Sequence, residues 1–432
     1  MRKLFIFAIL LFCIHLVSAQ NNAQPAQRLK VFIDCSNTWC DQTFIKTEIN
    51  IVDFLLDNLA ADLHILITDQ STGSGGSQYQ MIFFGQNQFK NQTDTLRFST
   101  NPNATDFENR DVLIKYLKLG LAPFIAKTSS INGVTSTMKQ SNTGEEKKEA
   151  AITKDPWNYW VLRASANGNI NADEVYKSLR YRSSFSAGRT TEDLKVDFNI
   201  YGSKNKTTYE YETTQGIEKF KVNNNDYGFD HSLVKSINNH WSYGYEANMN
   251  SSTFSNNKRK LFFRTGVEYD VFPYKDVNTK FFTVSYTIDV RRNVYYDTTI
   301  YNKTRETLTG HGIEMNMSFN QKWGSASVGA NYHNYFNNWK YFNLGLSGFI
   351  SVRVSGGLSF NVSAFGGLTR DQLYLPKGGA TEQEVLTRRR QLASGYNYYT
   401  SFGLSYRFGS KLSNFVNPRF EGGGGDRMFF FD

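Results

Sequence analysis

Tyr398-Tyr399-Thr400-Ser401-Phe402-Gly403-Leu404-Ser405-Tyr406-Arg407-Phe408 is the stretch that decides the fold class. Tyr398, Phe402, Leu404, Tyr406 and Phe408 fall on one side of an extended chain, and Tyr399, Ser401, Gly403, Ser405 and Arg407 on the other. Strand side chains alternate with a period of two, so one face is apolar and the other polar. Between Trp157 and Gly409 the alternation recurs about twelve times, with turns and polar loops between. Strands are expected near 157–168, 177–188, 193–204, 225–237, 240–251, 259–272, 279–292, 309–321, 323–335, 339–352, 355–369 and 396–409. The long connections, 205–224, 293–308 and 370–395, fall on one side. Tight ones, such as Arg189–Glu192, Ser236–Asn239, Lys322–Trp323 and Val354–Ser355, fall on the other. This is the pattern of an all-β transmembrane antiparallel barrel of about 12 strands, with lipid outside and a polar lumen. A soluble secreted sandwich, its apolar face against a second sheet, is the competing class.

The N-terminus supports export. Arg2 and Lys3 precede the apolar run Leu4–Val17, and Val17-Ser18-Ala19 offers a small-residue cleavage site, so residues 1–19 are expected to be a secretory signal peptide. Gln20 rather than Cys follows, which argues against a lipoprotein. No later run of about eighteen apolar residues is present to make a membrane-spanning helix. Mean hydropathy is −0.47. Aromatic residues are 15% of the chain, dominated by 25 Tyr and 35 Phe, which aromatic girdles at two lipid interfaces would use. The formal charge of +9 falls by two if Arg2 and Lys3 leave. That basicity suits anionic lipopolysaccharide and calls for no nucleic acid.

Residues 20–127 have the texture of a small α+β domain, expected in the periplasm. Val31–Asp34, Leu63–Thr68 and Gln80–Phe84 are strand-like. Ile49, Val52, Leu55, Leu56 and Leu59 recur at helical spacing, and a Thr105/Glu108 capping box opens a helix whose face carries Val112, Leu113, Tyr116 and Leu117. Residues 128–155, with Glu145-Glu146-Lys147-Lys148-Glu149, form a polar flexible linker. The barrel spans 156–409, opening on Pro156-Trp157-Asn158-Tyr159-Trp160, and residues 410–432 form a periplasmic tail. In that tail Gly422–Gly425 suggests a hinge and Met428–Phe431 a docking peptide or a lumen-inserted end. In the last outer loop, Thr381 and Glu384 form a capping box and Arg388-Arg389-Arg390 ends the segment. A short helix is expected there, plugging the mouth, touching lipopolysaccharide phosphates or simply solvated.

By alternation, Arg163, Arg180, Arg182, Lys195, Asp197, Asp230, Glu246, Arg264, Glu268, Asp289, Arg291, Glu314, Arg353 and Arg407 line the lumen, as does Asp270. These mixed charges either pair across a braced, hydrated interior or form a solute path whose arginines select anions. Leu261, Phe263, Val267, Tyr269, Phe282, Val284, Tyr286 and Ile288 face lipid.

Chemistry is sparse. Cys35 and Cys40, with four residues between them in an oxidising compartment, suggest a structural disulfide rather than a redox C-x-x-C pair. His64 is the one histidine beside them, too few for zinc. Gly73-Ser74-Gly75-Gly76 leads into a strand, so it is a hairpin tip and not a phosphate loop. His231, His240, His311 and His333 are scattered over different strands in no metal pattern, and no cofactor is implied. A lipid-modifying barrel enzyme built on the lipid-facing His231 is the alternative function, although Ser232 falls on the opposite face and no G-x-S-x-G elbow occurs.

The Asp34-Cys35…Cys40-Asp41 opening, the Thr72-Gly73-Ser74-Gly75-Gly76 turn, the Asp155-Pro156-Trp157-Asn158-Tyr159-Trp160 barrel start and the Val416–Phe420 tail resemble a group of Bacteroidota outer-membrane β-barrel proteins with a small periplasmic N-terminal domain. The resemblance implies a Gram-negative outer-membrane location and this architecture, and carries no activity and no catalytic residue. The expected function is a porin-like channel, or a membrane-bound partner in envelope transport or assembly. Its expected partners are outer-membrane lipids, lipopolysaccharide and an envelope protein reached through residues 20–127 or the tail.

Overall fold

The computed structural model describes residues 28–134 except 36, 37, 39 and 74, residues 155–378 except 214, 215, 355 and 356, and residues 395–410. The expected signal peptide, most of the linker, the 381–390 helix and the tail beyond 410 lie outside the described residues.

The small domain is built on five strands and two helices: β1 (Lys30–Asp34), α1 (Gln42–Glu48), β2 (Asp53–Phe54), β3 (Leu63–Ser71), β4 (Ser77–Gly85), β5 (Thr93–Ser99) and α2 (Asp106–Ile125). The sheet order is β2-β1-β3-β4-β5, with β1 parallel to β2 and β3, and β3, β4 and β5 antiparallel. On one face Leu63, Ile65, Ile67, Met81 and Phe83 pack with Leu113, Leu117, Leu121 and Phe124 of α2. The opposite face is also covered: His64, Leu66 and Ile82 are buried away from that core. A sheet buried on both faces has continuous apolar runs rather than clean alternation, as Leu63–Thr68 does.

The capping box at Thr105 forms as expected. The Thr105 hydroxyl accepts from the Glu108 amide, and the Glu108 carboxylate accepts from the Thr105 amide at 2.7 Å. Its bonds to Thr105 hold the Glu108 carboxyl below the usual range. Gly120 lets α2 close onto the Phe83 ring. The expected 49–59 helix is absent. The helix is instead α1, set earlier by Asp41, whose side chain accepts from the Phe44 amide at 2.9 Å. Ile49, Val52, Phe54 and Leu55 are buried in irregular chain around β2, while Leu59 is 66% exposed. Pairing of Asp53 and Phe54 with Lys30 and Val31 wins over helical spacing, and the β-branched Ile49, Ile51 and Val52 favour it. The domain also continues beyond 127: Ser129–Gly133 forms a 3-10 turn whose Ser130 hydroxyl accepts from the Leu29 amide. Cys35 and Cys40 are joined, their Cα atoms 6.2 Å apart.

The rest is a twelve-stranded antiparallel sheet running in chain order. Its strands are β6 (Trp160–Ala172), β7 (Tyr176–Thr190), β8 (Leu194–Thr213), β9 (Gly216–Ser236), β10 (Trp241–Ser252), β11 (Asn257–Asp270), β12 (Lys280–Tyr295), β13 (Arg305–Gln321), β14 (Gly324–Tyr335), β15 (Asn338–Arg353), β16 (Leu358–Thr369) and β17 (Tyr396–Tyr406). Segment 205–224 is not a loop. It continues β8 and β9 as a paired hairpin reaching Thr213 and Gly216. The segment was mistaken for loop because its polar residues occupy both faces, which hides the period. The connection expected at 293–308 shortens to 296–304, no longer than 271–279 on the opposite side, so the length asymmetry rests mainly on 370–395. No ladder joins β6 to β17 among the described residues.

Burial opposes ionisation of Asp41, but the Phe44 amide and the Arg110 guanidinium overcome it and hold the carboxyl below its usual range. A depressed carboxylate stabilises the fold above its unfolded pKa, and that contribution is lost as pH falls through the lower folded value. Hydrogen exchange at α1, corrected for intrinsic rate, should therefore rise below about pH 4 in the wild type. An Asp41→Asn variant should lack that acid step and be less protected at neutral pH.

Candidate functional site

Residues paired across a ladder share a face. Glu246, Arg264, Asp289, Gly310 and Tyr335 are successive partners from β10 to β14, and Arg163, Ser186, Asn199, Asp230 and Asn248 from β6 to β10. The same register places Arg180, Arg182, Lys195, Asp197, Glu268, Asp270, Glu314, Arg353 and, just beyond β17, Arg407 on this polar face. Phe263 and Val267, 43% and 45% exposed, occupy the other face with Leu261 and Tyr269.

Among the described residues the ion pairs within this face join charges on the same strand or on nearby strands. Arg264 donates to Glu246 at 2.7 Å on the adjacent strand, and Lys195 lies 3.9 Å from Asp197 on its own strand. Asp230 accepts from Asn199 and Asn248 of its two neighbours. Arg163, Arg180 and Arg182 make no ion pair among the described residues.

The densest cluster centres on Asp289, whose side chain is 1% exposed. It accepts from Arg291 at 2.7 Å and from the His333 Nε2–H at 2.6 Å. Arg291 also donates to the Tyr335 hydroxyl at 2.8 Å and lies over the Phe262 and Tyr335 rings. Beside it, Tyr295 donates to Glu306 at 2.6 Å and accepts from Asn293 at 3.0 Å. Sequence reasoning found Asp289 and Arg291 but missed His333, Tyr335, Tyr295 and Glu306. The period-two count would have found His333 and Tyr335, had His333 been read for its face rather than for metal spacing.

Chain segments lie against the barrel at both ends. At the loop end, residues 370–377 turn inward. Leu373 packs on Leu308 and Tyr335, the Ile300 amide donates to Leu375, and Asn256 donates to the carbonyls of Asp297 and Tyr374. Under this strap lies a cavity of about 550 Å³ whose lining includes Lys260, Arg291, Asn293, Asn343, Asp371 and Asn397. At the turn end, the small domain applies its second sheet face to the turns. Asn278, before β12, donates to Gln80 at 3.2 Å; Lys322, after β13, sits 3.9 Å over the Phe84 ring; Thr190, closing β7, lies against Gly73. Arg353 donates to Asp34 at 2.5 Å and covers Phe32. Asp34 also takes a 3.3 Å bond from His64, and the two side chains are 1% and 0% exposed. Arg353 is thus placed at the mouth, on the small domain.

His231 lies on the apolar face with both ring nitrogens engaged, by the Asp197 carbonyl and the Tyr245 hydroxyl, each at 3.0 Å. Ser232 shares the opposite face with Asp197 and Glu246, so His231 and Ser232 form no nucleophile–base pair. Among the described residues no group of three or more His, Cys, Asp and Glu is arranged to hold a metal ion.

Removing the Asp289 carboxylate would leave Arg291 buried without its counter-charge. Asp289→Ala is expected to destabilise the barrel by about 3 kcal/mol, and Asp289→Asn by less. Urea titration in micelles, with folded and unfolded forms separated by gel mobility, measures both.

No family model matches the chain, and no curated protein matches it. Among solved structures it is similar to the NanC porin, at 9% identity over 57% of this chain and 99% of that one, with a TM-score of 0.26. The translocator domain of the autotransporter NalP from Neisseria meningitidis gives 10% identity over 58% and 88%, with a TM-score of 0.24. The CymD monoaromatic hydrocarbon channel gives 8% over 80% and 87%, with a TM-score of 0.26. None of these superpositions is close enough to transfer a function. The ladder and its alternation, rather than the resemblances, make this chain a twelve-stranded antiparallel barrel behind a small α+β domain.

Proposed function

We propose that this protein is an outer-membrane channel for small polar solutes, closed from the periplasmic side by its own N-terminal domain. One observation carries the reading: the second face of the small sheet lies on the turns between β7 and β8, β11 and β12, β13 and β14, and β15 and β16, latched by Arg353 on Asp34. A polar lumen that served only to brace the wall would need no cover on its mouth. Arg264 is held by Glu246 on the next strand, and a cavity of about 550 Å³ lies under the strap. The apolar second face of the barrel and its aromatic rim suit a lipid bilayer, and the small domain then lies in the periplasm.

An adaptor for an envelope protein would present a free face of the small domain, whereas here one sheet face holds α2 and the other holds the barrel. A lipid-modifying enzyme at His231 is disfavoured by the occupied ring nitrogens.

The latch gives the test. In planar bilayers the wild type is expected to open rarely, and an Arg353→Ala/Lys322→Ala double variant at least about tenfold more often; such a change in opening equilibrium is worth about 1.4 kcal/mol, within reach of one lost charged hydrogen bond. A silent bilayer from both proteins and from a variant lacking 28–134, with heat-modifiable mobility verifying the fold, would sink the channel reading.

A further inference from the structure

The two faces of the barrel carry different kinds of charge at the loop end. Inside, Arg291 is paired with Asp289, while Arg180 and Arg182 face the lumen without an ion pair among the described residues. Outside, the apolar run on several strands ends and cations follow. Arg259 precedes Leu261 on the outward face of β11, and Arg292 follows Ile288 and Val290 on β12, one residue from the inward Arg291. Arg305 on β13 shares this face, because Val294 pairs with both Arg259 and Arg305. On the extended hairpin, Lys204 and Lys206 follow Ile200 on β8, and Lys221 of β9 pairs with Thr208 on the same face. Lys204 and Lys206 are about 7 Å apart along the strand. Leu179, an exposed apolar residue, pairs with Lys206, so grease and charge are interleaved.

All six cations are exposed, and none makes an ion pair among the described residues. The nearby outward carboxylate Glu210 is already held by Lys177 and Lys219, each at 3.1 Å. An unpaired like-charged collar repels itself and is stabilised by an anionic partner. The partner must also lie along the apolar run, because Arg259 adjoins Leu261 and Arg292 adjoins Val290 on the same outward stripe. An acid-rich protein or a nucleic acid would meet the charges but not the grease. An amphiphile with a phosphate head and acyl chains meets both.

We infer that Lys204, Lys206, Lys221, Arg259, Arg292 and Arg305 form a collar that binds the phosphate groups of lipids in the loop-side leaflet. This rests on the apolar face meeting lipid, as in the proposed function, but not on conduction. Basic side chains at a membrane surface attract anionic head groups, and salt weakens the attraction.

The full-length barrel in phosphatidylcholine nanodiscs containing a minor fraction of phosphatidic acid provides the test, with retained lipids counted by native mass spectrometry. The wild type is expected to retain phosphatidic acid over phosphatidylcholine by about tenfold or more. Replacing the collar by Lys204→Gln, Lys206→Gln, Lys221→Gln, Arg259→Gln, Arg292→Gln and Arg305→Gln should abolish that preference, and exchanging Lys for Arg and Arg for Lys at the same positions should keep it. A preference that survives the Gln variant, or none in the inserted wild type, overturns the collar. Full displacement of the lipid by inorganic phosphate alone overturns the lipid assignment in favour of a free phosphate site. Failure to insert into neutral nanodiscs would instead overturn the membrane reading on which both proposals stand.

Discussion

In the hydrocarbon of a bilayer no water is available to a peptide group, so every strand N–H and C=O has to find its partner inside the sheet. The ladder from β6 to β17 does this with consecutive antiparallel neighbours, interrupted by register shifts near Asn257, Ser252 and Tyr335. Pairing fixes the face of each residue, since a slip by one would turn the Asp289 cluster to the outer, apolar face and Ile288 inward. The edges are where this constraint presses hardest. β6 and β17 lack a mutual ladder among the described residues, and Phe402 and Leu404 of β17 are 80% and 71% exposed. Both edges nevertheless reach the small domain: Arg163 of β6 lies against Gly75, and Arg407 beyond β17 lies near Lys46, across a cavity of about 410 Å³. The small domain thus lies against β6 and faces the end of β17.

The small domain can do this because its sheet has two buried faces. The helix face makes a conventional core around Phe83 and Phe124, independent of the barrel. The other face carries Asp34, His64, Gln80 and Phe84, polar and aromatic groups that a free surface would leave to water. Asp34 is the key among them. A carboxylate this deeply buried is costly without a hydrogen-bonded counter-charge, and Arg353 from the barrel supplies it. The barrel therefore contributes to the folded state of the domain.

Legibility in the sequence followed the strength of the periodic signal. Between Arg264 and Asp270 the alternation of β11 is regular, and the sequence places Arg264, Glu268 and Asp270 opposite Leu261 and Val267 by counting alone. The capping box at Thr105 is equally local and equally clear. The β8–β9 hairpin escaped because Lys204–Thr208 and Asn223–Asn225 are polar at every position, which hides the period. The 49–59 helix was misread because Val52, Leu55 and Leu59 fit a spacing that the pairing of Asp53 with Lys30 overrides. The docking of Arg353 on Asp34, distant in sequence, has no local signature at all.

The way the lumenal charges pair explains why separate elements close the two ends. Had Arg264 reached across the interior to an acid on the far wall, the barrel would be filled by its own ion pairs. Instead it is satisfied by Glu246 on the next strand, as Asp289 is by Arg291 two residues along. Ladder neighbours sit about 5 Å apart, so such pairs form without either side chain leaving the wall. Arg264 and Asp289 are thus satisfied without crossing the lumen. Contacts at the two ends come from outside the wall: the strap carrying Leu373 onto Leu308 and Tyr335 at one end, and the sheet carrying Asp34 onto Arg353 at the other. Each cover is held by few contacts compared with the ladder it closes.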